Sequence, residues 1–205
     1  MPQTRSQPDA PTPRRRRAAA AAGAASAALS SAALATTALA LGASPAQAQA
    51  TPTSQIATDY LMTMEVQLEP TLRLDAATVI APGRGGSVRG PRISGRLVGP
   101  GGDWARVMPS GAVRLDVRAV IRTDDDQLVY LAYNGVLQHS PESLRRAANG
   151  EVLKAVDLPY YVVAPTFQTG SEPYAWLNRV QAVAKMTEMK LGDGGYVRYD
   201  VFAVR

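Results

Sequence analysis

A single antiparallel β-barrel of about eight or nine strands with one short helix is the fold class this sequence predicts. Three observations carry the expectation. Most segments after residue 58 alternate apolar and polar side chains with period two, the mark of a strand with one buried face. Short turns rich in glycine and proline separate these segments, and only one stretch carries a good helix start. Closing such a sheet removes its edges and creates an interior, and the number and length of the strands favour closure over a two-sheet sandwich.

The first quarter of the chain does not belong to that domain. Arg14, Arg15, Arg16 and Arg17 form a basic run, and residues 18–41 contain only Ala, Leu, Ser, Thr and Gly. Residues 42–50, GASPAQAQA, then offer two overlapping A-x-A sites. A basic region, an uncharged region and a small-residue site are the parts of an export signal, here residues 1–50, cleaved after Ala48 or Ala50. The alternative is an uncleaved anchor, since the segment is long enough to span a bilayer. Alanine is a weak lipophile, and the cleavage sites follow at once, so cleavage is the favoured reading. The arginines resemble a twin-arginine signal, but alanines stand where bulky apolar residues usually follow the pair; the general secretory route stays open beside it. The expected location is periplasmic or secreted, with membrane contact only through the signal before cleavage.

Removing residues 1–50 changes the charge. That segment holds five of the 22 basic residues and one of the 17 acidic ones, so the formal net charge falls from +5 to +1. A nucleic-acid partner requires a basic footprint on the folded domain, and none is expected. With no cysteine, the domain has to stand on its core. A domain of this size buries about two-thirds of its surface on folding, enough without covalent staples.

Along the mature chain, residues 51–58 are a polar lead-in and residues 59–205 the barrel. Tyr60, Met62, Met64, Val66 and Leu68 alternate with Leu61, Thr63, Glu65, Gln67 and Glu69, a two-sided strand that Pro70 ends. Residues 72–80 form a second strand. Residues 82–91, PGRGGSVRGP, read as a flexible loop. Residues 93–98 are a short strand in which Gly95 marks a bulge or close backbone contact. Gly99-Pro100-Gly101-Gly102 then turns the chain into residues 103–108. Residues 113–123 and 127–136 pair as a hairpin around Asp124-Asp125-Asp126. Ser140-Pro141-Glu142 starts the helix with a serine cap, a proline at the first position and an acid in the first turn. Asn149-Gly150 stops it as a left-handed pair. Residues 158–169 are one long strand. The corner Gly170-Ser171-Glu172-Pro173 leads into Tyr174-Ala175-Trp176-Leu177-Asn178, room for about one helical turn. From Asn178 the chain alternates again, which puts Asn178 in phase with Val180, Ala182 and Ala184 on the buried face. Trp176, the largest apolar side chain of this half, is expected to anchor the fold. Gly192-Asp193-Gly194-Gly195 closes the last hairpin before residues 196–204.

Four motifs resemble the family called domain of unknown function 3237: Gly90-Pro91-Arg92-Ile93-Ser94-Gly95-Arg96, Gly101-Gly102-Asp103-Trp104, Leu115-Asp116-Val117-Arg118 and Tyr174-Ala175-Trp176-Leu177-Asn178. The resemblance covers nearly all of the mature chain. It departs where Asp126 or Gln127 replaces the family's usual turn glycine, and in the export signal that many members lack. It implies a small bacterial barrel similar to lipocalin-like and allene-oxide-cyclase-like barrels, and no established activity.

The chemistry is sparse. One histidine, His139, and no cysteine leave carboxylates as the other strong ligands, so no metal site of the zinc or copper type and no cofactor is expected. The acids at 124–126 lack the oxygen count and spacing of a calcium loop and read as a solvated hairpin tip. No nucleophile elbow is present. The glycines of residues 83–90, with Arg84 and Arg89, match no phosphate-binding loop; with Arg92 they could form a rim that attracts a carboxylate. Asp116 and Arg118 share one strand face opposite Leu115, Val117, Ala119 and Ile121. They read either as an exposed ion pair or, turned inward, as polar groups of a cavity.

The first functional expectation is a barrel that binds a small apolar or aromatic molecule. Asp103, Asp116, Arg118, Tyr161 and Asn178 are the candidate polar anchors, and Trp104 and Trp176 the apolar walls. The second is a cofactor-independent cyclase, isomerase or lyase in the same cavity. Its catalytic candidates are Asp116 as general acid or base and Arg118 stabilising an oxyanion. A structural or assembly role with a filled interior is the third.

Overall fold

Inward–outward alternation closes into a wall in the computed structural model of the chain, which describes residues 54–205. The strands are β1 (Thr58–Leu68), β2 (Leu72–Arg73), β3 (Thr78–Arg89), β4 (Ser94–Val107), β5 (Val113–Thr123) and β6 (Leu128–Gln138). After helix α1 (Pro141–Ala148) come β7 (Leu153–Lys154), β8 (Tyr160–Gln168), β9 (Ala182–Lys190) and β10 (Tyr196–Val204). Eight of them form the wall in the order β1, β10, β9, β8, β6, β5, β4, β3, and β3 pairs back onto β1. Every pairing is antiparallel, while the two-residue strands β2 and β7 add to β3 and β9. The expected closed barrel with one short helix is the observed fold. The proposed signal, residues 1–50, lies outside the described residues.

Four local readings change. Residues 72–80, expected as one strand, split into β2 and the start of β3, which pair with each other. Residues 82–89, expected as a loop, are the second half of β3 and carry the ring closure, from Thr63↔Arg89 to Leu68↔Gly83. Glycine is a requirement there. Gly86 has φ +148°, and a β-carbon on it would sit 1.9 Å from the Glu65 carbonyl oxygen of β1. Gly99-Pro100-Gly101-Gly102 is no turn either: β4 runs through it, with a register shift against β5 between Val98 and Gly102. In β1, a bulge between Tyr60 and Met62 resets the alternation, so Leu61 and Met62 are both buried and Tyr60 is exposed.

The helix forms as its cap predicts. The Ser140 hydroxyl accepts from the Ser143 N–H at 3.1 Å, and the Ser143 hydroxyl accepts from the Ser140 N–H at 2.9 Å. Of the expected left-handed pair, only Gly150 has positive φ.

The two ends of the barrel differ. At the end opposite α1, a 3₁₀-helical segment, Glu172–Arg179, spans from β8 to β9 and seats Leu177, with no exposed surface, in the hydrophobic core. Asn178 locks that plug. Its side-chain oxygen accepts from the Thr169 N–H at 2.8 Å, and its amide donates to the Thr169 carbonyl at 2.9 Å. Trp176 is only half-buried, and the Arg92 guanidinium stacks over its ring at 3.7 Å. The expectation that Asn178 enters a cavity and that Trp176 anchors the core is therefore corrected. β9 begins at Ala182, so Asn178 lies on no strand, and Leu177 is the side chain that fills the base.

Candidate functional site

Because side chains alternate, each wall strand offers the interior every second residue. Toward the plugged base these fill the space, with Ile121, Val129 and Leu177 fully buried. Toward α1 they leave a cavity of about 490 Å³ whose walls include Met64, Leu97, Leu115, Val117, Leu131 and Val197. Its mouth lies among Thr71, Arg73, Gly111, His139, Leu144 of α1 and Leu191.

Few polar groups line this space. Asp103 comes from β4, in register with Ala81 of β3 and Val117 of β5, both cavity-lining. The β4–β5 ladder lapses between Asp103↔Val117 and Arg106↔Arg114, and Asp103 Oδ1 fills the gap by accepting from the Asp116 N–H at 2.9 Å. No hydrogen bond to Oδ2 exists among the described residues. Burial pushes the carboxyl pKa up to about 6; the Asp116 N–H opposes that, and the Asp116 carboxylate adds to it.

Three tyrosines stand near it. Tyr161 of β8 and Tyr199 of β10 are buried, with hydroxyls 2.7 Å apart and rings edge to face at 5.6 Å. Tyr133 of β6 packs edge-on to Tyr199 at 5.9 Å. Burial drives all three phenols far above their ordinary pKa, so they remain neutral hydroxyls at physiological pH. The Asp103 charge raises Tyr133 and Tyr161 further, which places carboxylate and phenols in one electrostatic neighbourhood. At the mouth, burial lowers the His139 pKa, and its Nδ1 lies 3.1 Å from the Ser143 hydroxyl.

Of the sequence-selected residues, the cavity gathers Asp103 and Tyr161. Asp116 and Arg118 form the outward ion pair, at 3.0 Å with both side chains about half exposed, because Leu115, Val117 and Ala119 take the inward positions of β5. Arg118 borders the cavity as part of the wall, but its charged head is outside. Trp104 is 43 % exposed and lies outside with it, the Arg118 guanidinium 5.9 Å from its ring. Asp116 instead edges a shallow outer depression with Arg106, Arg114 and Asn134. Trp176 and Asn178 belong to the base. The residues missed are Tyr133, Tyr199 and His139. Alternation carried the signal for the first two: Tyr133 is in phase with buried Val129 and Leu131, and Tyr199 with buried Val197 and Val201.

The acids of the β5–β6 tip have structural partners. Asp126 pairs with Arg122 at 2.8 Å, and Asp125 accepts from the Tyr174 hydroxyl at 2.9 Å. Two of the three arginines of the expected carboxylate-attracting rim are engaged elsewhere. Arg89 donates to the backbone carbonyls of Val88 and Gly95, and Arg92 covers Trp176.

The model of the family described as protein of unknown function (DUF3237) matches residues 56–204. The chain belongs to that family. A UPF0311 protein from Rhodopseudomonas palustris is 33% identical over 98 residues, 48% of this chain and 63% of the relative's length, so the aligned stretch spans under two-thirds of that relative. A solved structure of a conserved protein of unknown function from the same organism aligns with TM-score 0.67 and 27% identity, covering 75% of this chain and 100% of the other. A β-barrel-like protein from Acinetobacter baumannii aligns with TM-score 0.59 and 31% identity, covering 77% and 100%. These relatives share the barrel with the DUF3237 chain, and their descriptions name no activity.

The raised pKa of Asp103 has a consequence for stability. A carboxyl whose folded pKa lies above its unfolded value favours the folded state most when protonated. That contribution is complete below about pH 3.8 and is lost as pH rises through about 6. Asp103→Asn keeps an acceptor for the Asp116 N–H and removes the charge. Its unfolding free energy relative to wild type is expected to rise between pH 4 and pH 7.5 by about 2 kcal/mol, after allowance for the partial exposure of the carboxyl. Urea unfolding at the two pH values checks this; a difference that stays flat or falls contradicts the burial of that charge.

Proposed function

We propose that the protein binds a small apolar or aromatic molecule inside the barrel, with Asp103 and the Tyr161–Tyr199 hydroxyl pair as its polar anchors. One observation carries the reading: an apolar cavity of about 490 Å³ with a mouth at one end and few polar groups inside. Binding sites for small molecules have this size and this balance of walls and anchors. An interior of this kind argues against the structural role with a filled barrel. Trp104, Asp116, Arg118, Trp176 and Asn178 are not used as contacts.

A second reading, acid–base chemistry without a cofactor on the same molecule, is favoured by the Asp103 carboxyl. A group that titrates near 6 can both take and return a proton close to neutral pH. A cyclase, isomerase or lyase would use Asp103 in place of Asp116, and the neutral phenols in place of Arg118. Turnover of a bound molecule, lost in Asp103→Asn while binding persists, separates this reading from simple binding.

The neutral fluorescent probe N-phenyl-1-naphthylamine is expected to bind the full chain and raise its melting temperature, since a ligand at about 100 times its Kd adds about 2.7 kcal/mol of stability. Val117→Phe, which fills the cavity opposite Asp103, should abolish probe binding. Arg118→Ala should leave affinity within about twofold, since an exposed ion pair contributes little. Asn178→Ala should lower stability by about 1–3 kcal/mol and leave probe affinity unchanged. A Val117→Phe protein that still binds the probe, or loss of binding in Arg118→Ala, would sink the interior site.

We also propose export, to the periplasm or beyond, by the twin-arginine or general secretory route. The basic run, the uncharged segment and the A-x-A sites support it. N-terminal sequencing of protein from outside the cytoplasm should begin at Gln49 or Thr51; a start before Ala43 refutes the cleavage.

A further inference from the structure

The polar groups inside the cavity carry one sign of charge. Asp103 is the carboxylate among its lining residues, and the phenols beside it are neutral. The arginines that touch the cavity are engaged elsewhere. The side chain of Arg118 is half exposed and held by Asp116 at 3.0 Å. Arg73 is an exposed residue at the mouth, and its guanidinium donates to the backbone carbonyls of Asp75 and Ala76 at 3.4 Å. His139, also at the mouth, is half-buried, and its Nδ1 lies 3.1 Å from the Ser143 hydroxyl. An anion brought inside would therefore meet a carboxylate across a low-dielectric space, with no cation set deep enough to compensate.

Hydrogen-bond inventory narrows the class further. Asp103 uses Oδ1 on the Asp116 N–H and leaves Oδ2 as an acceptor. The Tyr161–Tyr199 contact is one hydrogen bond between two hydroxyls. It consumes one of their two protons and leaves the other to donate. With the Tyr133 hydroxyl beside Tyr199, the anchor thus offers a carboxylate acceptor, Oδ2, and at least one phenol donor in a single neighbourhood of an otherwise apolar cavity. A hydroxyl is the small group that answers both, donating to Oδ2 and accepting from the phenol. A carboxylate or a carbonyl only accepts, and an ammonium only donates. The edge-to-face tyrosines supply aromatic surface around that point.

We propose that the cavity selects uncharged hydroxylated aromatic molecules and turns away carboxylates of the same shape, with Asp103 as the residue that discriminates. This inference rests on the cavity being a binding site, and it adds the chemistry of the occupant. It also reverses the charge preference that an arginine-lined site would have, because the arginines singled out in the sequence point away from the interior.

The test is displacement of bound N-phenyl-1-naphthylamine from the full chain at about pH 8, by three ligands that share a ring system: 2-naphthol, 2-methoxynaphthalene and 2-naphthoate. 2-Naphthol should displace the probe at a concentration at least about tenfold lower than 2-naphthoate, with 2-methoxynaphthalene between them, since an unpaired buried polar group is the penalty in one case and a buried like charge in the other. In Asp103→Asn the naphthol-to-naphthoate ratio should shrink at least about threefold, the desolvation of the carboxylate still leaving 2-naphthol ahead. Equal or tighter binding of 2-naphthoate by the wild type overturns the proposal, as does an unchanged ratio in the variant. The wild-type series decides alone should Asp103→Asn fail to fold. Tyr161→Phe then supplies the second variant, expected to keep 2-naphthol ahead of 2-naphthoate because Asp103 is intact; loss of that order there would overturn Asp103 as the discriminating residue. Failure of the probe to bind at all removes the interior site and this selectivity with it, whereas probe binding without discrimination removes only the selectivity.

Discussion

The closure of β3 onto β1 is the constraint from which the interior follows. A sheet of this length left open would present two edges and no enclosed space. The ring closes where a glycine-rich strand lies against β1, and at Gly86 the approach is so tight that a β-carbon would overlap the Glu65 carbonyl oxygen. The composition that looks like a flexible loop is what allows two backbones to meet. Everything placed inside the wall, including the one carboxylate of the cavity lining, owes its environment to that contact.

Closure also sorts the chemistry. On β5, one-residue steps send Leu115, Val117 and Ala119 inward and Asp116 and Arg118 outward, so the most conspicuous charge pair in the sequence faces water. An exposed pair of this kind contributes less than about 1 kcal/mol. Asp103 takes the opposite position. A missing stretch of the β4–β5 ladder leaves the Asp116 N–H unpaired, and the Asp103 side chain accepts from it while still facing the cavity. A single residue is thus both a stitch in the wall and the interior's acid, and its raised pKa follows from the second role despite the first.

Much of the fold was legible in the sequence because period-two alternation and turn chemistry are local. The strands at 113–123, 128–138 and 196–204 and the serine-capped helix come out as their patterns demand. What was not legible depends on distant partners. Residues 82–89 are a strand only because β1 and β4 supply ladders on both sides. Asn178 looked buried by phase, but the alternation of β9 starts later, and its amide serves Thr169 instead. The site was half legible. Asp103 and Tyr161 stand out in the sequence, while Tyr133 and Tyr199 lie on cleanly alternating strands where an aromatic side chain reads as ordinary core. No sequence pattern announces that two hydroxyls from β8 and β10 will lie 2.7 Å apart.

The interior is an enclosed apolar space whose one lining carboxylate is held largely out of water by the closed wall. The most direct measurement is a ¹³C NMR titration of the aspartate side-chain carboxyls of the full chain, with the Asp103 signal assigned by its loss in Asp103→Asn. Burial behind that wall should make this resonance titrate at about pH 6. A midpoint near 3.8, the ordinary value for an aspartate, would mean that Asp103 sits in water and that the barrel has no such interior.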